Sequence, residues 1–147
     1  MFKKSFSLIE ILLAIGIFCL IASFFIFLII SSYQINEQAR DLTIATHLAE
    51  EGIEALRLIR DINFQELGSN PYSYCLAMEN NRWVLKKIPG KDCLEEVKLN
   101  NKIFYRQIYI SSISSTKRKV VSLVSWKTKS GLKREVRLFS RITNWIR

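Results

Sequence analysis

Phe6-Ser7-Leu8-Ile9-Glu10-Ile11-Leu12-Leu13-Ala14-Ile15-Gly16-Ile17-Phe18-Cys19-Leu20-Ile21-Ala22-Ser23-Phe24-Phe25-Ile26-Phe27-Leu28-Ile29-Ile30 is the stretch that decides the fold. Its only ionisable side chains are Glu10 and Cys19. A helix needs about 20 mostly apolar residues to cross a hydrocarbon core, so the stretch predicts a membrane-spanning helix. Lys3 and Lys4 precede it, and the first basic residue after it is Arg40. That excess of positive charge favours an N-terminus inside and a C-terminal portion outside. A secretory signal peptide has an apolar region of about 7–15 residues that ends in a small-residue cleavage site. The run here is longer and leads directly into a helical pattern, so an ordinary signal peptide fits poorly.

Glu10 is the unusual residue. A carboxylate costs about 2.5–3.5 kcal/mol at the centre of a membrane helix on insertion scales, and less near the interface. A simple anchor has no use for it beyond a lone acid snorkelling at headgroup level. Together, Lys4-Ser5-Phe6-Ser7-Leu8-Ile9-Glu10 resembles the prepilin signature of type IV pilins and of type II secretion and competence pseudopilins. That signature is a short basic leader, a small residue, Phe, Ser/Thr, Leu, Ile/Val and Glu, then an apolar helix. The resemblance covers the N-terminal segment alone, and Ser5 stands where the family usually carries Gly, so slower processing is expected.

The resemblance implies cleavage by a prepilin peptidase between Ser5 and Phe6, with methylation of the new Phe6 amine. Glu10 then becomes the fifth residue of the mature chain. Pairing the Phe6 amine of one subunit with the Glu10 carboxylate of a neighbour relieves two charges in a low-dielectric helical core and sets axial register. The implied partners are other pilin subunits, the peptidase and an inner-membrane assembly machinery. The implied location is a single-pass membrane precursor with an extracytoplasmic head, then a pilus or pseudopilus. A minor pilin is the favoured form. A type II secretion or competence pseudopilin, and a membrane-anchored protein that never assembles, are the alternatives.

No proline occurs before Pro71, so one helix is free to run from Phe6 to about Asp61. Leu42, Ala45, Leu48, Ala49, Ile53, Leu56 and Ile59 recur at three-and-four spacing, which draws one apolar face. Glu54 with Arg57, and Arg57 with Asp61, are positioned to pair on the exposed side. Gly52 lies on or beside the packing face, where it permits close approach of another segment. Leu48-Ala49-Glu50-Glu51-Gly52-Ile53-Glu54-Ala55-Leu56-Arg57 also looks like a recurring feature of minor pilins.

Gly68, Ser69, Asn70 and Pro71 open a loop region. Strands are predicted at 72–78, 82–88, 103–110, 120–127 and 132–142, with a turn at Pro89-Gly90 and a hairpin at Lys129-Ser130-Gly131. The expected fold is α+β and pilin-like: a long helix, half membrane-spanning and half amphipathic, packed against a small antiparallel β-meander. The expected divisions are a leader over 1–5, an assembly helix over 6–30, its amphipathic continuation over 31–66 and a β-rich head over 67–147.

The formal net charge of +9 is unevenly spread. Residues 1–100 hold ten Lys/Arg and twelve Asp/Glu, a net of −2, whereas residues 101–147 hold twelve Lys/Arg and only Glu135, a net of +11. Such a head suits nucleic acid, an anionic surface or an acidic partner, and equally reads as a solvated face balanced by acids elsewhere. Lys117-Arg118-Lys119 is read as part of a Ser-rich turn, with Lys127, Lys129, Lys133 and Arg134 around the next hairpin. Tyr105 and Tyr109 add stacking surfaces, so DNA is a candidate partner for these cations.

Cys75 and Cys93 form a disulfide candidate if the head is extracytoplasmic, worth about 3 kcal/mol in the chain-entropy model. Cys19 reads as a small apolar residue within the hydrophobic run. There is no Gly-rich phosphate loop, no metal-ligand spacing and no nucleophile beside a base, and His47 is the only histidine. Glu50, Glu51 and Glu54 have no second cluster to complete an acid/base or metal site. The sequence therefore predicts no enzyme, cofactor or metal.

Overall fold

The computed structural model of the chain describes residues 7–68, 73–87, 92–99 and 101–145. The elements in order are α1 (Leu8–Ile62), a 3-10 turn (Phe64–Leu67), then β1 (Ser73–Glu79), β2 (Arg82–Lys86), β3 (Glu95–Leu99), β4 (Lys102–Ser114), β5 (Lys117–Lys127) and β6 (Lys133–Thr143). The architecture is α+β, as the patterning predicts. The chain divides into two compact units, Met1–Arg40 and Asp41–Arg147.

The described part of the first unit is almost wholly helical, and its apolar side chains are bare. Leu8, Phe18, Leu20, Phe27 and Ile29 are all well exposed. The helix is long and apolar enough to cross a membrane. Unburied apolar surface of this extent requires lipid or neighbouring helices to cover it.

In the second unit, α1 buries Ala45, Leu48, Ala49, Gly52, Ile53, Ala55, Leu56 and Ile59, the face drawn by the three-and-four spacing. Leu42 departs from that expectation and is exposed, while Asp41 is buried and ion-paired to Lys102 at the start of β4. The helix stops at Ile62 because Asn63 leaves helical geometry (φ −156°, ψ 109°). Its side chain accepts a hydrogen bond from Gln65 N at 3.0 Å and caps the 3-10 turn.

The sheet is antiparallel, in the order β2-β1-β4-β5-β6, with β3 also paired to β4. Thus β4, β5 and β6 form a meander, and β1 and β2 a hairpin. One long edge of β4 serves both β3 (Glu95–Leu99 against Lys102–Arg106) and β1 (Ser73 and Tyr74 against Tyr109 and Ile108). The hairpin predicted at Lys129-Ser130-Gly131 connects β5 to β6. Gly131 N donates to Thr128 O at 2.9 Å, and Gly131 takes φ +81°, a conformation that suits glycine.

Two apolar clusters fill the space between sheet and helix. One gathers Leu56, Ile59, Phe64, Leu67, Tyr74, Leu76, Ile108, Ile110, Val120 and Ile142. The other gathers Ala45, Leu48, Ala49, Phe104, Val124 and Trp126. Gly52 sits at the closest approach: a Cβ there would lie 2.6 Å from Ser122 Oγ and 3.1 Å from Ile108 Cδ1. The packing therefore demands the absent side chain, in line with the close approach anticipated from sequence.

Two corrections concern the strands and a third concerns α1. Lys117-Arg118-Lys119 does not lie in a turn: it opens β5, and Ser115-Thr116 makes the turn. Pairing to β4 continues through Ser112↔Arg118, so the cations are ladder residues. Second, β3 was not anticipated. Its sequence Glu95-Glu96-Val97-Lys98-Leu99 lacks apolar continuity, and β4 supplies the ladder that forms it. Third, Asp61 pairs with Arg60 at 2.7 Å instead of with Arg57, which pairs with Glu54. The predicted turn at Pro89-Gly90 lies outside the described residues.

Candidate functional site

The sequence places the principal site at the N-terminus. Ser5 and Phe6, the expected cleavage and methylation positions, lie outside the described residues. Glu10 is described and exposed in the first turn of α1, with its backbone N–H donating to Ser7 O at 3.0 Å. An acid in the first turn interacts favourably with the helix dipole. Beyond it, α1 through Ile30 presents apolar side chains on every side. The carboxylate is therefore the one charged group among the described residues 7–30.

In the second unit, acids of α1 are engaged both by neighbours on the helix and by basic residues of β4. His47 Nδ1 and Glu50 Oε2 lie 3.2 Å apart, Glu54 pairs with Arg57, and Glu51 contacts Arg106. No group of three or more potential metal ligands occurs among the described residues. The carboxylates point to separate partners, so they form no common acid/base centre.

Arg106 is the residue the sequence reading passed over. It is 2% exposed on the helix-facing side of β4. Its Nε and Nη2 donate to the two Glu95 carboxylate oxygens at 2.9 and 2.6 Å, and Nη1 donates to Glu51 Oε2 at 3.1 Å and Leu48 O at 3.2 Å. The guanidinium also lies 5.8 Å from the centre of the Trp83 ring. A forked donor held by a bidentate carboxylate is a rigid joint, here tying β3, β4 and α1 together. An Arg within Phe104-x-Arg106-x-Ile108-x-Ile110 was the available signal, because alternation puts it on the apolar side.

The basic residues divide between the two faces of the sheet. Successive strand residues point to opposite faces, and the register fixes which they share. Lys117, Lys119, Lys127 and Lys133 lie on the face away from α1, while Lys129 is in the β5–β6 turn. Arg118 and Arg134 alternate with them onto the helix-facing side. Arg118 is only 7% exposed, donates to Gly68 O, Ser112 Oγ and Ser114 O, and lies 5.0 Å from the Phe64 ring centre. It is a packed structural residue, which removes it from the proposed nucleic-acid contacts. Arg137, Phe139 and Arg141 of β6 share the outer face with the lysines, and the sequence reading did not group them.

Tyr105 and Tyr109 also belong to the outer face, as their alternation suggests. Tyr109 Oη donates to Gln107 Oε1 at 3.3 Å. Burial, and then the nearby Asp92 carboxylate, push its phenol above the usual tyrosine value. Cys75 of β1 and Cys93 are joined by a disulfide, and Cys93 N donates to Ser73 Oγ at 2.9 Å. The bridge ties β1 to the segment leading into β3.

No family model, curated protein or solved structure matches this chain.

Proposed function

We propose that this chain is a subunit of a type IV pilus, a minor pilin made as a membrane-anchored precursor and incorporated through its N-terminal helix. The observation that carries the reading is Lys4-Ser5-Phe6-Ser7-Leu8-Ile9-Glu10 at the head of an apolar helix. The physical argument is one of unmet needs. Glu10 brings a carboxylate into surroundings that penalise it, and the helix leaves its apolar surface bare. A bundle of identical or similar helices meets both needs, covering the apolar surface and offering the Phe6 amine to Glu10.

Two further features support the reading. The Cys75–Cys93 disulfide suits an oxidising compartment, which agrees with lysines held inside and a head exported outside. The charge balance favours a minor subunit over an abundant one. A head with +11 over residues 101–147, repeated along a filament, brings like charges together at each step.

The test is the N-terminal mass of the protein extracted from its native membrane. Loss of Met1–Ser5 together with a methyl group on Phe6 is expected. An intact N-terminus, in a host that processes other prepilins, would overturn the proposal in favour of a simple membrane anchor. A companion variant, Glu10→Ala, is expected to remain membrane-inserted yet fail to enter filaments. Normal incorporation of that variant would remove the role given to the carboxylate.

A further inference from the structure

The face of β5 and β6 that points away from α1 can be read row by row from the register. Lys119 of β5 stands directly opposite Arg141 of β6. In the next row Val121 stands opposite Phe139, with Tyr109 of β4 on its other side. The row after that pairs Leu123 with Arg137. Rows on one face repeat about every 7 Å, and neighbouring strands lie about 5 Å apart. A row of two adjacent cations, flanked by Ser111 of β4, therefore borders a row that carries Tyr109 and Phe139 on either side of Val121.

Stability does not account for this arrangement. Like charges directly opposite one another destabilise a sheet, and two such pairs occur here, Lys119↔Arg141 and Lys127↔Lys133. Cations on an edge strand can guard against unwanted pairing, which covers β6. It does not cover Lys119 and Lys127, because β5 is an inner strand bonded on both sides. The sole acid on these two strands is Glu135, and it is held by Arg137 at 2.6 Å. Phe139 is 63% exposed, with Lys119 Nζ 5.6 Å from its ring centre. The ring gains only modest cross-strand contact with Val121, and most of its surface stays in solvent.

We propose that this outer face binds a single-stranded nucleic acid, with Lys119 and Arg141 on the phosphates and Phe139 stacked on a base. Phosphates relieve the like-charged row, and a base stacks on the exposed ring; these are the two components of single-strand recognition. An acidic protein surface would satisfy the cations and leave Phe139 unused. A duplex encloses its bases and presents no ring face to Phe139. The same-face neighbours of Phe139 are Arg137, Arg141, Val121 and, diagonally, Lys119 and Leu123. Arg137, Arg141 and Lys119 donate to phosphate and to a ribose hydroxyl alike, so these neighbours recognise the single strand whichever sugar it carries. The proposal is independent of how the N-terminus is processed.

The test is fluorescence anisotropy of a labelled oligothymidylate against the full chain in non-ionic detergent, over a range of salt. Affinity is expected to fall with salt by about 0.7 log units per log unit for each phosphate contact. Lys119→Ala combined with Arg141→Ala is expected to reduce that slope by about 1.4. Phe139→Leu is expected to weaken binding about 5-fold or more at unchanged slope, and Phe139→Trp to restore or tighten it. Both variants keep a large apolar side chain opposite Val121 and should melt within a few degrees of the parent, about what a change of 1 kcal/mol or less allows. Oligouridylate offers the same phosphates and base faces, and its affinity relative to oligothymidylate tells an RNA ligand from a DNA one. Absence of binding at low salt, or indifference to both Phe139 variants, would overturn the proposal. So would equal affinity for duplex DNA or polyglutamate.

Discussion

Replacing Gly52 by alanine sets two opposing contributions against each other at one position. Within an exposed helix the change would stabilise by about 1 kcal/mol, because glycine is the poorer helix former. Gly52 is instead buried where α1 meets β4 and β5. The new methyl would lie 2.6 Å from Ser122 Oγ, 3.1 Å from Ile108 Cδ1 and 3.5 Å from Arg106 Cδ. Overpacking of this kind costs about 1–3 kcal/mol. Ser122 is fully buried, so its hydroxyl has packed neighbours whichever way it turns. The steric contribution wins, and we expect a net loss of roughly 1 kcal/mol, the difference between these ranges.

The same contact supplies its own control. Ser122 Oγ is buried without a hydrogen-bond partner among the described residues. Ser122→Ala therefore removes a desolvated hydroxyl and should be close to neutral. Combining Gly52→Ala with Ser122→Ala removes the shortest contact while keeping the helix-forming gain. The double variant should match or exceed the parent, and the two changes should be strongly non-additive, as contacting residues are. Thermal unfolding of the full chain in detergent, followed by tryptophan fluorescence, reads the result. For a unit of this size, about 1 kcal/mol moves the melting temperature by about 4 °C or more. A stabilised Gly52→Ala, or simple additivity in the double variant, would refute the reasoning.

Other expectations concern the joints of the same unit. Arg106→Ala should cost about 3 kcal/mol or more, since it leaves Glu95, only 22% exposed, without its buried partner. Glu51→Gln should cost less than about 1 kcal/mol, because Glu51 is 48% exposed; equal losses for the two in chemical denaturation would contradict the network. Replacing Cys75 and Cys93 by serine should lower stability by about 3 kcal/mol. Intact mass with and without reductant should differ by two protons, and free thiols in the native protein would rule out the bridge. Tyr109 holds its proton more tightly folded than unfolded. That contribution is present below the ordinary tyrosine value of about 10 and is lost as pH rises through the higher folded value. Tyr109→Phe should therefore flatten the fall in melting temperature above that pH, and an unchanged fall would exclude Tyr109 as its source.

Local composition and periodicity determined much of this protein before any tertiary contact entered. The run from Phe6 to Ile30 dictates an apolar helix, the three-and-four spacing names nearly all of the buried face of α1, and local patterning finds β1, β2 and β6 near their observed limits and the central parts of β4 and β5. These features are legible because a helix turn or a strand pleat imposes its period on neighbouring residues. What pairing decides is not written in any one segment. The β4 ladder turns the charged Glu95–Leu99 into a strand and draws Lys117–Lys119 out of a turn. Alternation then sends Arg118 inward beside Phe64, while register brings Lys119, Arg141 and Phe139 together on the far face. Arg106 was visible as a cation on an apolar strand face, but its meaning depended on Glu95 and Glu51 arriving from other elements. Sequence period establishes which side of its own element a residue occupies, and only the packed sheet and helix establish what it meets there.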